Sequence, residues 1–312
     1  MKYSKKIFIL LVSILITVCI VGYIIYRINY GHKTVYLVWR SLKDKSKSNG
    51  FGDKLRSVIA TRQFCKENGY RFVLDATDDI CGTFLKHVKS EEYPIIKDKP
   101  LLHIDCHPHD SPPCNFSQRV HSVLNKKDVV FLYTNKCPNN DDCVSYNKDL
   151  LNDIDDKEFI KYICEPIDGL KEEVGEKKSR LPHNYGIQHF RFSDDVFKKD
   201  ITENDTIFIK YFQILESSYT PTDVLLSNST NFKRYAKTML NIKTVECNGD
   251  ECKVGHIGHS DNYESVKSSF IEFYIISGAK YVKTLSTYGW VSNFIKWPSL
   301  IYDIPLEVHK ID

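Results

Sequence analysis

The apolar positions of the chain fall into alternating rhythms. Thr34-Val35-Tyr36-Leu37-Val38-Trp39 is apolar almost without interruption and reads as a buried strand. After a polar stretch, Leu55, Val58, Ile59, Arg62 and Cys65 recur at spacings of three and four. That spacing predicts a helix, which Gly69 is placed to end, and Arg71-Phe72-Val73-Leu74-Asp75 follows as a second strand. Strand, Gly-containing loop, helix and strand form the unit that the right-handed crossover rule turns into a parallel sheet. Further strands are expected near Leu101 and Val129, and a helix near Phe159. The charged, helix-prone stretch 168–180 comes next, then a strand at His189, strands over 206–209 and 223–227, and helices over 231–240 and 265–277. A strand at Tyr281 and a terminal helix stopping at Pro298 complete the pattern. Strands and helices alternating in two halves predict an α/β chain of two Rossmann-like domains facing a cleft, 34–167 and 184–312, joined by a linker over 168–183.

Residues 7–26 are uncharged and almost wholly apolar, long enough at about 1.5 Å per residue to cross a bilayer core of roughly 30 Å. Lys2, Lys5 and Lys6 precede them, and no small-residue cleavage site stands around Cys19 to Tyr23. The expected element is a single transmembrane signal anchor, with 1–6 as a cytoplasmic tail and 27–33 as a short stem. Arg27, Lys33 and Arg40 on the far side partly offset the positive-inside bias, so charge alone leaves the orientation open. Cysteines help to decide it. Apart from Cys19, six fall in three close pairs: Cys106 with Cys114, Cys137 with Cys143, and Cys247 with Cys252. Each pair brackets a loop that a disulfide would close, which implies an oxidising compartment. Sequons at Asn115, Asn204 and Asn228 agree. Together they predict a type II, single-pass membrane glycoprotein with its C-terminal part in the lumen of the endoplasmic reticulum or Golgi.

A chain of 312 residues with 42% hydrophobic content can bury a large core. A net charge of +3, without a basic stripe interleaved with aromatics, argues against a nucleic-acid partner. His103, Asp105, Cys106, His107, His109 and Cys114 are residue types that suit zinc. Pro112, Pro113 and the lack of a second Cys/His pair at zinc-finger spacing favour a disulfide loop instead, so no metal is expected.

Three segments carry candidate chemistry. In Gly186 to Asp194, Arg191 lies between His189 and Asp194 just after a strand. A guanidinium offers five donors in a planar fork that grips phosphate oxygens bidentately and stays charged at physiological pH, so this stretch suits a diphosphate. The turn Ser286-Thr287-Tyr288-Gly289-Trp290 presents hydroxyls and, where it opens a helix, free backbone N–H groups. The loop from Asn49 to Arg56 carries Gly50 and Gly52 at the start of the first predicted helix.

The spacing of His189, Arg191 and Asp194 resembles the donor-binding motif of GDP-fucose-using alpha-1,2-, alpha-1,6- and protein O-fucosyltransferases, usually His-x-Arg-Arg-x-Asp. Phe192 stands where the second arginine would be. The segment from Glu272 to Trp290 is similar to the closing motif of alpha-1,2-fucosyltransferases: an acidic residue, a helix, a strand, then a Ser-Ser/Thr-Phe-Ser-Trp turn. Glu272 replaces the usual Asp. The Asn49 to Arg56 loop resembles Gly-x-Gly-Asn-x-Leu of the same enzymes, with Asp53 in place of Asn. Val224 to Ser229 resembles the strand whose Thr-Asp or Ser-Asp pair contacts the nucleotide, with Ser227 retained and Asn228 for the acid. A glycan on Asn228 would block the cleft, so a site role is the preferred reading there.

The resemblance implies a GT-B fold, GDP-fucose as donor, a glycan or glycoprotein as acceptor, and inversion without a bound metal. The implied donor site is His189, Arg191, Asp194, Ser227, Ser286, Thr287, Tyr288, Trp290, Gly50, Gly52 and Arg56. Arg191 would stabilise charge on the departing diphosphate, and helix N-termini at the Gly50 and Ser286 loops would add partial positive charge. His189 would orient the loop or bond to the donor, and Asp194 would bind guanine or brace Arg191. A base role for Asp194 or Asp195 stays open. Two alternatives also stay open: a transferase of another nucleotide sugar, and a catalytically silent, membrane-anchored lectin-like protein of the same fold.

Overall fold

The computed structural model describes residues 11–22, 33–40, 49–106, 114–138, 147–247, 250–257, 260, 262–288 and 290–309. Strand β1 (Thr34–Val38) is buried along its whole length. It pairs in parallel with β2 (Arg71–Asp75) on one side and β4 (Val129–Thr134) on the other, and β4 pairs with β3 (Leu102–Ile104), giving the order β2-β1-β4-β3. An uninterrupted apolar strand belongs in such a place, because helices cover both faces of a parallel sheet. Helix α1 (Phe51–Asn68) links β1 to β2 and ends as expected at Gly69, which takes φ 66° and donates its N–H to the carbonyls of Cys65 and Lys66. Helices α2 (Phe116–Leu124) and α3 (Ile154–Ile163) complete this half.

The second half begins with helix α4 (Asp168–Ser179). Strand β5 (Ile187–Arg191) is followed by helix α5 (Thr206–Ser218), β6 (Val224–Ser227), helix α6 (Thr230–Leu240) and β7 (Lys243–Thr244). A two-stranded antiparallel hairpin, β8 (Glu246–Cys247) and β9 (Asp250–Glu251), leads to helix α7 (Tyr263–Ile276), β10 (Val282–Ser286), helix α8 (Asn293–Ile301) and β11 (Leu306–Val308). The five long-range strands form a parallel sheet of order β11-β10-β5-β6-β7. The chain winds outward from β5 through β6 to β7, then returns to the other side of β5 with β10. The strand order therefore reverses between β5 and β10, and ligands of open α/β sheets bind beyond the carboxyl ends of strands at such a reversal.

One apolar cluster crosses both halves, with Leu37, Leu55 and Val58 from the first and Phe270, Phe273 and Trp297 from the second. Phe51, at the start of α1, makes edge contacts with Trp39, Phe270 and Phe273 at centroid distances of 6.3, 5.0 and 5.3 Å. The segment expected as a linker contributes to the same core through Leu170 and Val174 of α4, which packs on α7. A second cluster of Phe190, Phe192, Phe208, Tyr211 and Phe232 lies under α5 and α6.

Three expectations need correction. Residues 206–209 belong to helix α5, because Phe208, Tyr211 and Leu215 recur on one buried face; the run Ile207-Phe208-Ile209 alone looks the same for either structure. The terminal helix continues past Pro298 to Ile301, with Trp297, Leu300 and Ile301 all buried. The proline forfeits one backbone hydrogen bond, and this buried face keeps the helix intact. No helix starts at Ser286; α8 begins at Asn293, after Ser292.

Residues 11–22 of the expected anchor are helical with exposed side chains, and the rest of 7–26 lies outside the described residues. Among the described residues no helix is long and apolar enough to cross a membrane. Cys106–Cys114 and Cys247–Cys252 are disulfides with Cα separations of 5.1 and 4.7 Å. Cys137 is also disulfide-bonded, and Cys143 lies outside the described residues, as do His107 and His109.

Candidate active site

A cavity of about 260 Å³ opens where the order of the second sheet reverses. Its floor is the carboxyl end of β5, with His189 and Arg191; the first residues of α1 and α8 face it across the gap. Both halves of the chain therefore contribute, and both contribute a helix N-terminus.

Arg191 leaves β5 as its last residue and is only partly exposed. Its Nη2 donates to Asp194 Oδ1. Its guanidinium lies against two aromatic faces, 5.0 Å from the ring centre of Phe197 and 6.0 Å from that of Tyr288. Nη1 is buried without a hydrogen-bond partner. A buried donor left unsatisfied costs roughly 1–3 kcal/mol, which an anion entering the cavity would recover. The expected fork is thus half occupied: Asp194 holds one nitrogen and the other has no hydrogen-bond partner among the described residues. Asp194 also donates its backbone N–H to Tyr288 Oη at 2.8 Å. Partial burial opposes ionisation of Asp194, but Arg191 and then His256 outweigh it and hold the carboxyl below its ordinary range.

His189 is buried, and its Nδ1 meets Thr284 Oγ1 of the neighbouring β10 at 2.8 Å. Burial, followed by the charge of Arg191, pushes its pKa down to about 3, so the ring is neutral at physiological pH. Asn228 pins the chain after β5: its Oδ1 accepts from Phe192 N at 2.8 Å and its Nδ2 donates to Phe192 O at 3.1 Å. Ser227 Oγ donates to Phe190 O at 2.7 Å. Phe192, in the place of the second arginine, is in the aromatic cluster beneath the sheet, 4.7 Å from the Tyr211 ring centre. Glu272 lines the cavity from α7 and pairs with the fully buried Lys233 at 3.0 Å.

The two glycines of the first loop differ. A Cβ on Gly52 would fall 2.2 Å from Asn293 Cβ, so this glycine lets α1 and α8 approach. A Cβ on Gly50 would meet only side-chain atoms, His256 Cε1 at 3.2 Å and Asp53 Oδ2 at 3.6 Å being nearest. Asn293 Nδ2 donates to Asp53 Oδ1 at 3.0 Å, and Arg56 pairs with Asp53 at 2.8 Å.

Of the eleven residues implied for the donor site, Gly50, Gly52, His189, Arg191, Asp194, Ser227, Tyr288 and Trp290 line the cavity. Ser286, Thr287 and Arg56 do not. Ser286 Oγ accepts from Tyr288 N at 3.2 Å, and Thr287 N donates to Arg191 O at 3.1 Å, so both shape the turn behind the site. Arg56 is buried against Asp53. Asp195 points to solvent, near Lys198. Tyr288 and Trp290 stack at 5.1 Å, and Trp290 remains half exposed at the rim. Sequence reasoning missed Phe197, His256, Asn293 and Phe294, which come from segments without a motif.

No family model and no curated protein matches the chain by sequence. The arrangement of two parallel α/β halves about a shared cleft nevertheless defines a class: this is the fold of the GDP-fucose fucosyltransferases. POFUT1 in complex with GDP-fucose superposes with a TM-score of 0.50 at 10% identity, over 90% of this chain and 99% of that one. The fucosyltransferase NodZ from Bradyrhizobium does so at 0.50 and 10%, over 86% and 93%. POFUT1 in its apo form gives 0.50 and 10%, over 88% and 98%. At such identities the likeness is one of fold.

Proposed function

We propose that the chain is an inverting fucosyltransferase that moves fucose from GDP-fucose to a glycan or glycoprotein hydroxyl. The observation that carries this reading is Arg191, placed at the strand-order reversal of a fucosyltransferase fold with a buried guanidinium nitrogen awaiting an acceptor. Transfer leaves a diphosphate whose negative charge grows as the glycosidic bond breaks. A guanidinium positioned before the reaction stabilises that charge more than it stabilises the ground state. The N-termini of α1 and α8 face the same space and add partial positive charge. The expected helix start at Ser286 is thereby replaced by the one at Asn293. His189, neutral and held through Nδ1 by Thr284, lines the cavity and in this reading contributes to the wall against the nucleotide base or sugar. Gly50, Ser227, Tyr288 and Trp290 complete the donor walls.

With that much positive potential in place, no metal is needed to hold the diphosphate. Calorimetric titration of the detergent-solubilised chain in the presence of a chelator is expected to show GDP binding tighter than UDP or CMP. Equal affinity for UDP, or GDP binding that appears only when manganese is added, would overturn the donor assignment. The same reading places the chain as a type II, single-pass membrane protein anchored by residues 7–26, with the catalytic part in the Golgi or endoplasmic reticulum lumen. The disulfides Cys106–Cys114 and Cys247–Cys252 support that placement.

A further inference from the structure

Beyond the cavity that holds Arg191 lies a wider groove of about 1320 Å³. The two share a wall: Asp194, Phe197, Asn228 and the segment Val254 to His256 line both. The groove carries polar side chains such as Asn231, Asn262 and Ser265, charges of both signs such as Asp200 and Lys253, and apolar side chains such as Val196 and Phe197. Such a mixed lining suits a polyhydroxyl chain, whose sugar rings offer both hydroxyls and apolar faces. If the donor occupies the first space, the groove delivers an acceptor hydroxyl to the shared wall.

Transfer to a hydroxyl requires a group to take its proton, and the side chains around the cavity differ sharply in their fitness for that. Asp194 is held by Arg191, Asp53 by Arg56 and Asn293, and Glu272 by Lys233. His189 is buried against Thr284 and, with a pKa near 3, too weak a base. His256 stands on the wall between the two spaces, edge-on to Phe197 at 5.9 Å, and it comes so close to Gly50 that a Cβ there would lie 3.2 Å from Cε1.

We propose that His256 is the catalytic base, receiving the acceptor from the groove and passing it to the donor in the adjoining cavity. This rests on the donor reading given above. The acceptor O–H proton goes to an imidazole nitrogen, and the oxygen electron pair forms the new bond to the anomeric carbon. The bond from that carbon to the diphosphate oxygen breaks, and GDP leaves with its electrons. Asp194, across the same wall, attracts the imidazolium that results; Asp53 faces it from α1 and Glu272 lies further along α7. Arg191 opposes them, and Tyr288 and Lys253 are further titratable side chains among the described residues that line the two spaces.

The test is GDP release from GDP-fucose by the full chain in detergent, with water standing in for the acceptor, followed from pH 5 to 8.5. In the wild type the rate should fall on the acid side as His256 takes up a proton. His256→Gln should be slower by about a hundred-fold or more, should lose that acid limb, and should bind GDP within about three-fold of the wild type. Azide, a nucleophile with no proton to lose, should restore GDP release in the variant. A variant with near-normal release or an intact acid limb overturns the proposal. So does a variant that is slow with water and azide alike, since it has lost donor positioning instead. If the wild type binds GDP but never turns over, transfer and base fall together, whereas a wild type blind to GDP refutes the donor reading itself.

Discussion

In the proposed reaction Arg191 concentrates the chemistry of the site in one side chain, and its surroundings set how much of it is available. Asp194 holds one terminal nitrogen, the rings of Phe197 and Tyr288 lie against the guanidinium, and the second terminal nitrogen is buried without a partner among the described residues. A lysine would keep the charge but not reach the same point from within that stack. One charge-assisted hydrogen bond is worth roughly 1.5–3 kcal/mol. Arg191→Lys is therefore expected to lower kcat/KM by about ten-fold to 150-fold, with little change in melting temperature, because a lysine keeps the charge beside the half-exposed Asp194 and such a pair contributes little to stability. Near-normal turnover in this variant would end the claim that the guanidinium meets the diphosphate. His189 makes a different kind of prediction. Its folded pKa of about 3 lies below the ordinary 6.5, so the unfolded chain takes up a proton that the folded one refuses. Its contribution to stability is complete above pH 6.5 and is lost as pH falls from there towards 3, at roughly a ten-fold change in the folding equilibrium per pH unit. His189→Gln should flatten the decline of melting temperature between pH 6.5 and 4.5, and parallel curves for the two proteins would refute it.

At the level of elements, the meeting of α1 and α8 decides the width of the cleft. Gly52→Ala places a methyl group on Asn293, where neither backbone has room to yield. Overpacking of this sort costs about 1–3 kcal/mol, so a thermal melt should show a clear loss of stability, whereas Gly50→Ala, which meets only the side chains of His256 and Asp53 at 3.2 Å or more, should lose much less. Equal and negligible losses would show that the helices can separate freely. The same junction shows what the sequence could reveal. Strands β1 and β6 were legible because parallel strands buried along their whole length leave nearly uninterrupted apolar runs, and α1 because Gly69 ends it. Helix α5 was misread because its first turn carries a strand-like run. Arg191 and Asp194 were legible because they lie three residues apart on one turn. His256 was not, because its place depends on how the chain after β9 folds back against Gly50. Nor was the pair of Lys54 with Asp79 at 2.6 Å, both buried, in which burial opposes the lysine's charge and Asp79 outweighs it. Buried ion pairs join positions that no periodicity relates.

For the whole molecule, the cysteines connect fold to compartment. Two disulfides close loops outside the helices of the core, one beside the start of α2 and one at the β8–β9 hairpin that leads into the His256 segment. Cys65, Cys81 and Cys164 remain reduced and buried. Burial raises all three thiols, Cys65 to about 12, and only the thiolate attacks a disulfide. Apart from the exposed Cys19 of the expected anchor, the free thiols among the described residues are therefore kept from exchange with the disulfides, as a protein in an oxidising lumen would require. In sealed microsomes the part from Thr34 onward is expected to resist added protease until detergent is present. Under native conditions an alkylating reagent should leave Cys65, Cys81 and Cys164 unlabelled, while peptide mapping without reduction should recover Cys106 joined to Cys114 and Cys247 to Cys252. Digestion of the intact vesicles' chain, with these cysteines recovered as free thiols, would put the domain on the cytosolic side. It would remove the topology that residues 7–26 and the paired cysteines together imply, while leaving the donor site to stand on Arg191.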